Sequence, residues 1–186
     1  MKNEMKKMGL IFVGIFLVNG CASIPATRVF EKGYALPKVK AIVMGKVILY
    51  EKIVRGEAEA NLNFVNERND EFAQKVITLF QKRFSERLTK KGIKVVETPP
   101  MPFVGLDVNL AYRVKSTDLS ELSAQMYVFC PVEVFTGLTG TVFVPHKKNI
   151  ILELYQVIQS FGEPELLVNH IAEQFSDVLA ERFSSE

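Results

Sequence analysis

The chain has 186 residues, of which 48% are hydrophobic and 24% are charged, and its formal net charge is +2 at pH 7. This length suits one domain, and the apolar content is high enough to build a sizeable core. A net charge so close to zero gives no electrostatic reason to expect nucleic-acid binding, which needs a strongly basic face.

The first 20 residues have the three parts of a secretory signal. Lys2, Lys6 and Lys7 give a basic start, and an apolar run over residues 9–18 precedes a site with small residues. The run is too short for a transmembrane helix, which needs about 20 residues. Because the three lysines and Glu4 lie in this segment, the rest of the chain is formally neutral.

Residues 18–21 read Val-Asn-Gly-Cys. They resemble the lipobox of bacterial lipoproteins, which has an aliphatic residue three positions before the cysteine and a small residue directly before it. Val18, Gly20 and Cys21 fit, whereas Asn19 departs from the usual Ala, Ser or Thr at the tolerant position. The resemblance implies that residues 1–20 are removed, that the Cys21 sulfur carries diacylglycerol, and that the new amine usually receives a further acyl chain such as palmitate.

The residues after the cysteine bear on the destination. In lipoproteins of enteric-type bacteria, an Asp directly after the cysteine retains the protein at the inner membrane. Here Ala22 and Ser23 follow Cys21, so the resemblance implies the periplasmic face of the outer membrane. Several acyl chains on one cysteine hold a protein firmly to a bilayer. The alternatives are an ordinary signal peptide cleaved after Ser23, with Cys21 there by chance, and a buried apolar helix. As a whole, the chain looks like a member of an uncharacterised envelope lipoprotein family.

Residues 21–38 are predicted to be a lipidated tether and residues 39–186 a single periplasmic domain. The tether lacks a sustained hydrophobic period and contains two prolines. Residues 39–54 are β-branched and aliphatic, which predicts one long strand or two, with Gly45 as a candidate bulge. The polar residues 55–68 predict a loop or a short strand.

Two segments have the 3.6-residue period of amphipathic helices. The first covers residues 69–91, with Asn69 as the expected N-cap and Gly92 at the C′ position. The second covers residues 164–183 and begins with Pro164. Strands are predicted over residues 93–97, 106–114 and 149–161. This order predicts an α/β (α+β) fold, a single sheet with the two amphipathic helices packed on one face. The predicted apolar stripes are Phe72, Val76, Leu79, Phe80, Phe84 and Leu88 in the first helix, and Leu167, Ile171, Phe175, Val178 and Leu179 in the second.

Residues 122–145 form an apolar segment with Glu133 as its only charge. One interpretation is a buried strand pair that turns at residues 136–140. The other is a loop that inserts into a lipid surface or docks a partner, in which case Phe135, Leu138 and Phe143 are the contact residues. Cys130, within the same segment, is expected to be a buried free thiol.

Catalytic and metal-binding motifs are absent from the sequence. It has no Gly-rich phosphate loop, no Cys-x-x-Cys and no Gly-x-Ser-x-Gly, and the histidines His146 and His170 are expected to be structural or surface residues. We therefore expect no catalytic residue, no metal and no cofactor. These features favour a non-enzymatic accessory or assembly subunit of the envelope, with the membrane and an envelope protein as its partners. The alternative is a periplasmic carrier that binds a small apolar ligand or lipid between the sheet and the helices.

Overall fold

The computed structural model describes residues 26–29, 40–56, 62–97, 104–117, 119–135, 141–161 and 163–184. For residues 26–29, 130–135, 141–149 and 184, it describes the backbone alone. In chain order the elements are β1 (Ala26–Val29), β2 (Ala41–Arg55), β3 (Leu62–Glu67), α1 (Glu71–Lys90), β4 (Lys94–Val96), β5 (Val104–Val114), β6 (Leu119–Phe135), β7 (Thr141–Phe161) and α2 (Pro164–Ser184).

The described strands form one seven-stranded sheet. Its order is β1-β7-β6-β5-β2-β3, with β4 also paired to β2. The neighbours run antiparallel except that β2 is parallel to both β4 and β5. Helix α1 packs against α2, β2 and β4, while α2 packs against β6 and β7, so both helices cover the same face. The predicted fold, a single sheet with two amphipathic helices on one face, is confirmed.

The core lies between this face and the helices. Alternate residues of β5 and β6, including Leu106, Leu110 and Met126, are fully buried there because successive side chains of a strand point to opposite faces. From the helices come Phe80 and Phe84, whose rings stack with centroids 5.4 Å apart. The apolar stripes predicted from the sequence therefore build the core. Their fully or nearly fully buried members are Val76, Phe80, Phe84 and Leu88 in α1, and Leu167, Ile171, Phe175 and Leu179 in α2.

The start of α1 differs from the prediction by one residue. The N-cap is Asp70, not Asn69, and the Asp70 carboxylate accepts a hydrogen bond of 2.7 Å from the backbone N–H of Ala73. This bond, and then the hydrogen bonds and charge of Arg68, lower the pKa of the Asp70 carboxyl. The Asn69 side chain instead accepts from Gln74 at 2.9 Å. At the other end, Gly92 has φ +84°, as its predicted C′ position requires.

The predicted bulge at Gly45 is confirmed. The pairing between β2 and β5 shifts register between Met44 and Val47. There the Asp107 carboxylate accepts a 2.9 Å hydrogen bond from the Lys46 backbone N–H. A Cβ at Gly45 would overlap that carboxylate and lie 2.8 Å from the Leu106 carbonyl oxygen. Glycine is needed here because the two backbones approach closely.

Two short strands complete the sheet. β1 lies inside the segment predicted to be a tether, where no strand was expected. β3 pairs with β2 and is the short strand that was one of the two alternatives for residues 55–68. The strand predicted over residues 149–161 begins earlier, at Thr141, so His146 lies in β7 and not in a loop.

Candidate functional site

The face of the sheet opposite the helices is polar, and we call it the polar face. Its positions alternate with the core positions of β5, β6 and β7, and the register aligns them across the three strands. Several of these polar side chains are almost completely removed from solvent. The buried polar residues on this face are Glu121, Ser123, Gln125 and Glu153.

Glu121 lies at the centre of a charge cluster on the polar face. Its side chain is only 1% exposed, and it forms ion pairs with Arg113 at 2.6 Å, Lys115 at 2.7 Å and Arg55 at 3.7 Å. Gln159 donates a further hydrogen bond of 2.7 Å. Burial alone would raise the pKa of the Glu121 carboxyl, but the hydrogen bonds from Lys115 and Gln159 and the nearby positive charges outweigh it and lower that pKa.

Among the described residues, this cluster joins four strands and places three cations around one carboxylate. Arg55 is the last residue of β2, Arg113 is near the end of β5, Lys115 directly follows β5, and Glu121 and Gln159 belong to β6 and β7. The three cationic side chains remain 54%, 49% and 31% exposed.

A second polar group lies further along β6. Gln125 donates a hydrogen bond from its side-chain nitrogen to Glu153, while the side-chain oxygens of Gln125 and Ser123 are buried without a hydrogen-bond partner among the described residues. Burial, then the charges of Glu153 and Tyr50, raises the pKa of Tyr127.

The residues predicted to contact a membrane or partner are placed only in part. Cys21 and Leu138 lie outside the described residues, as do the side chains of Phe135, Phe143 and Cys130. The backbone of residues 122–135 pairs with β7, with Val134 opposite Val142 and Phe135 opposite Thr141. The strand-pair interpretation is therefore confirmed for the backbone. Burial of the two phenylalanines, and their contact role, stay predictions.

The far part of this strand pair has no other strand beside it in the described pairings. β5 pairs with β6 only from Ser120 to Phe129, and β1 pairs with β7 only from Leu152 to Tyr155. Beyond these, β6 and β7 pair with each other as far as Phe135 and Thr141. We call residues 130–149 the distal hairpin. Among the described residues, its two strands pair only with each other.

Sequence reasoning did not find the Glu121 cluster. Its cations are spread along the chain from Arg55 to Lys115, and they come together at Glu121 only through the sheet order and the β5–β6 register. That register is set by a tight turn in which the Lys115 N–H donates to the Leu119 carbonyl at 2.8 Å. The alternation of β5 could place Arg113 on one face, but not its partner.

Other features fit a structural role. His170 Nε2 lies 2.8 Å from the Gln174 side-chain nitrogen one turn further along α2. Among the residues that the structure describes, no group of three or more His, Cys, Asp or Glu side chains is arranged to hold a metal ion. None of the described helices is both long and apolar enough to cross a membrane.

Comparisons with known proteins give likenesses in structure alone. No protein-family model matches the chain, and no curated protein matches it. A solved structure of a DUF4136 family protein from Bacteroides thetaiotaomicron is similar, with 9% identity and a TM-score of 0.43, over 85% of this chain and 97% of that one. A solved structure of an uncharacterised protein has 11% identity and a TM-score of 0.39, over 81% of this chain and 97% of that one. Likenesses this distant carry no conclusion about family or function.

Proposed function

We propose that the chain is a lipid-anchored envelope protein that acts by binding, as an accessory or assembly subunit, and not by catalysis. Cys21 attaches it to the periplasmic face of the outer membrane, and the distal hairpin docks an envelope protein. The observation that carries this proposal is the distal hairpin itself, an apolar sequence that pairs only with itself in the described part of the sheet.

A ribbon of this kind needs a partner for physical reasons. An isolated two-stranded hairpin is marginal in water. The ribbon from Phe129 to Phe135 extends about 20 Å past the last residue paired with β5, at about 3.3 Å per residue. Between Leu122 and Pro145 the sequence has a single charge, and an apolar segment of this size marks an interaction site when exposed. A protein groove would supply the apolar cover.

The carrier alternative has less support. It would use phenylalanines between the sheet and the helices to line a ligand pocket. Phe80, Phe84 and Phe175 are instead fully buried members of one core cluster. Their burial supports a packing role.

Photo-crosslinking in native membranes tests the docking. A photoreactive residue at Leu138 should give one adduct of defined mass, whereas the same residue at Lys82, which is exposed on α1, should not. The adduct should disappear when Phe135→Asp is added. No adduct from position 138, or the same adduct from position 82, would contradict the proposed docking site.

Labelling with a clickable palmitate analogue tests the anchor separately. Cys21→Ser should abolish the label, because only that thiol can accept the diacylglycerol. Cys130→Ser, which changes the other cysteine of the chain, should leave the label unchanged. Equal labelling of the Cys21→Ser variant and the unaltered protein would end the lipoprotein interpretation.

A further inference from the structure

The base of the distal hairpin lies at the same level of the sheet as a row of lysines. Lys94 of β4 lies opposite Ala41 of β2, and Lys148 of β7 lies opposite Pro131 of β6. The pairings of β5 with β2 and with β6 put Ala41 and Pro131 level with each other. Lys94 and Lys148 are therefore separated by four strand spacings, about 19 Å at about 4.8 Å each, with β6 between them.

Two more lysines extend this row. Lys40 directly precedes β2, and its carbonyl oxygen accepts a 2.9 Å hydrogen bond from the Lys94 backbone N–H. Lys147 precedes Lys148 in β7. The side chains of Lys40 and Lys94 are exposed. We call Lys40, Lys94, Lys147 and Lys148 the lysine belt.

The carboxylates at this end of the domain do not neutralise the belt. Both helices also end here, where Lys91 pairs with Asp177 at 2.7 Å. The segments 30–39 and 185–186, which adjoin this end in the chain, add two charges of each sign. The rest is net positive. Its cations are Lys40, Lys90, Lys91, Lys94, Lys147, Lys148 and Arg182, and its carboxylates are Glu97, Glu133, Asp177 and Glu181.

The register of the distal hairpin makes both of its faces apolar. Residues opposite each other share a face, and successive residues of a strand alternate between faces. One face therefore has valine at all four positions, and the other has two phenylalanines, a threonine and one glutamate. The opposite pairs are Val132 with Val144, Val134 with Val142, Glu133 with Phe143, and Phe135 with Thr141.

A hairpin that is apolar on both faces needs cover on both. A flat protein surface would cover one face only. The hydrocarbon of a bilayer would cover both, but it offers no hydrogen-bond partner to the backbone groups along the edges of the hairpin, and no other strand pairs with those edges in the described pairings. A protein groove with two apolar walls can cover both faces and bond the edges. The lysine belt then lies at the mouth of the groove, because it is level with the base of the hairpin.

We infer that the distal hairpin inserts into a two-walled apolar groove of an envelope protein, and that carboxylates at the mouth of this groove pair with the lysine belt. This inference rests on the proposed docking of the distal hairpin and specifies the chemistry of its partner. Charge pairs at the rim of an interface mainly set the rate of association and the choice of partner. The lysine belt therefore selects an acidic groove over one rimmed by cations.

A carbodiimide, which joins an amine to a carboxylate in direct contact, tests the pairing. The lipid-modified protein is purified with a photoreactive residue at Leu138 and added to detergent-solubilised membranes of cells that lack the chain. The carbodiimide should link Lys94 to a carboxylate of the same protein that the photoreactive residue labels. Lys94→Arg, which keeps the charge but removes the amine, should lose this link and keep the photo-adduct. Lys82, which is exposed on α1, is the matched control and should give no link.

The charge contribution is measured as the concentration of protein that gives half of the maximal photo-adduct. Lys40→Gln, Lys94→Gln and Lys148→Gln should each raise this concentration about two- to fivefold, the effect of one exposed ion pair. In about 1 M salt, where the screening length is about 3 Å, these differences should disappear. Lys82→Gln should leave the concentration unchanged. Circular dichroism melts verify that each variant is folded.

The outcomes separate the inference from the proposal on which it rests. The absence of any photo-adduct from position 138 would contradict the docking site, and the inference with it. A protein photo-adduct that none of the three belt variants weakens would overturn the inference alone. A photo-adduct with the mass of a phospholipid would show that lipid covers the hairpin and would overturn the groove.

Discussion

Truncation of Phe80 measures how much of the stability comes from the layer between α1 and the sheet. The Phe80 ring is fully buried and stacks on Phe84, which is also fully buried. Phe80→Ala removes the whole ring from a packed core, and such changes cost about 3–5 kcal/mol in unfolding free energy. At roughly 2–4 °C per kcal/mol for a domain of this size, the melting temperature should fall by about 6–20 °C.

Chemical denaturation followed by circular dichroism gives the free energy directly, with Glu86→Ala as the matched control. Glu86 is exposed on the same helix, where it pairs with Arg83 at 3.5 Å. A surface change of this kind should stay within about 0.5 kcal/mol. If Phe80→Ala and Glu86→Ala had the same denaturation midpoint, the apolar stripe of α1 would face solvent or a partner, and its assignment to the core would be wrong.

Four other substitutions test the polar face, the bulge and the distal hairpin. Because the pKa of Glu121 is lowered in the folded state, its contribution to stability is complete above the ordinary carboxyl pKa of about 4.3 and is lost as the pH falls through the folded-state value. At pH 7 the unaltered protein should therefore have a higher denaturation midpoint than Glu121→Gln, and this difference should shrink as the pH is lowered to 3. A difference that stayed constant would contradict the ion-pair assignment. Gly45→Ala should lower the unfolding free energy by about 1–3 kcal/mol through overlap with the Asp107 carboxylate, and no change would mean that the bulge is not tight. Phe135→Asp and Phe143→Asp should leave circular dichroism melts nearly unchanged while abolishing the crosslink from position 138, and a lost transition would show that the side chains are buried.

The helices could be predicted because their signal is local. An apolar residue every three or four positions fixes which side of α1 is buried, and Val76, Phe80 and Phe84 are buried as expected. The N-cap was misassigned by one residue because Asn69 and Asp70 are both good capping residues. The choice depends on Arg68, whose guanidinium pairs with Asp70 at 2.6 Å, and a single-residue preference does not contain that contact.

The sheet order and the charge cluster could not be predicted because they depend on contacts that are distant in sequence. β1 has four residues and β3 has six, too few for a reliable alternation pattern. The parallel pairing of β2 with β5 brings Arg55 to the end of the sheet at which Arg113 meets Glu121. No periodicity in either segment specifies that neighbour. The lipobox-like pattern, by contrast, is contained in four adjacent residues, so the sequence alone gives an expectation about location and none about this surface.

The burial along β7 separates the residues that stabilise the fold from an exposed end of the strand. Its middle, from Ile151 to Ile158, supplies core residues under the helices, whereas Phe161 at one end is exposed. Leu154→Ala should then cost about 2–5 kcal/mol in unfolding free energy, because it empties part of a packed core. Phe161→Ala, the matched change at the exposed end, should cost less than about 0.5 kcal/mol. Chemical denaturation of both variants measures the two free energies. If Phe161→Ala destabilised the fold as much as Leu154→Ala does, the end of β7 would belong to the core.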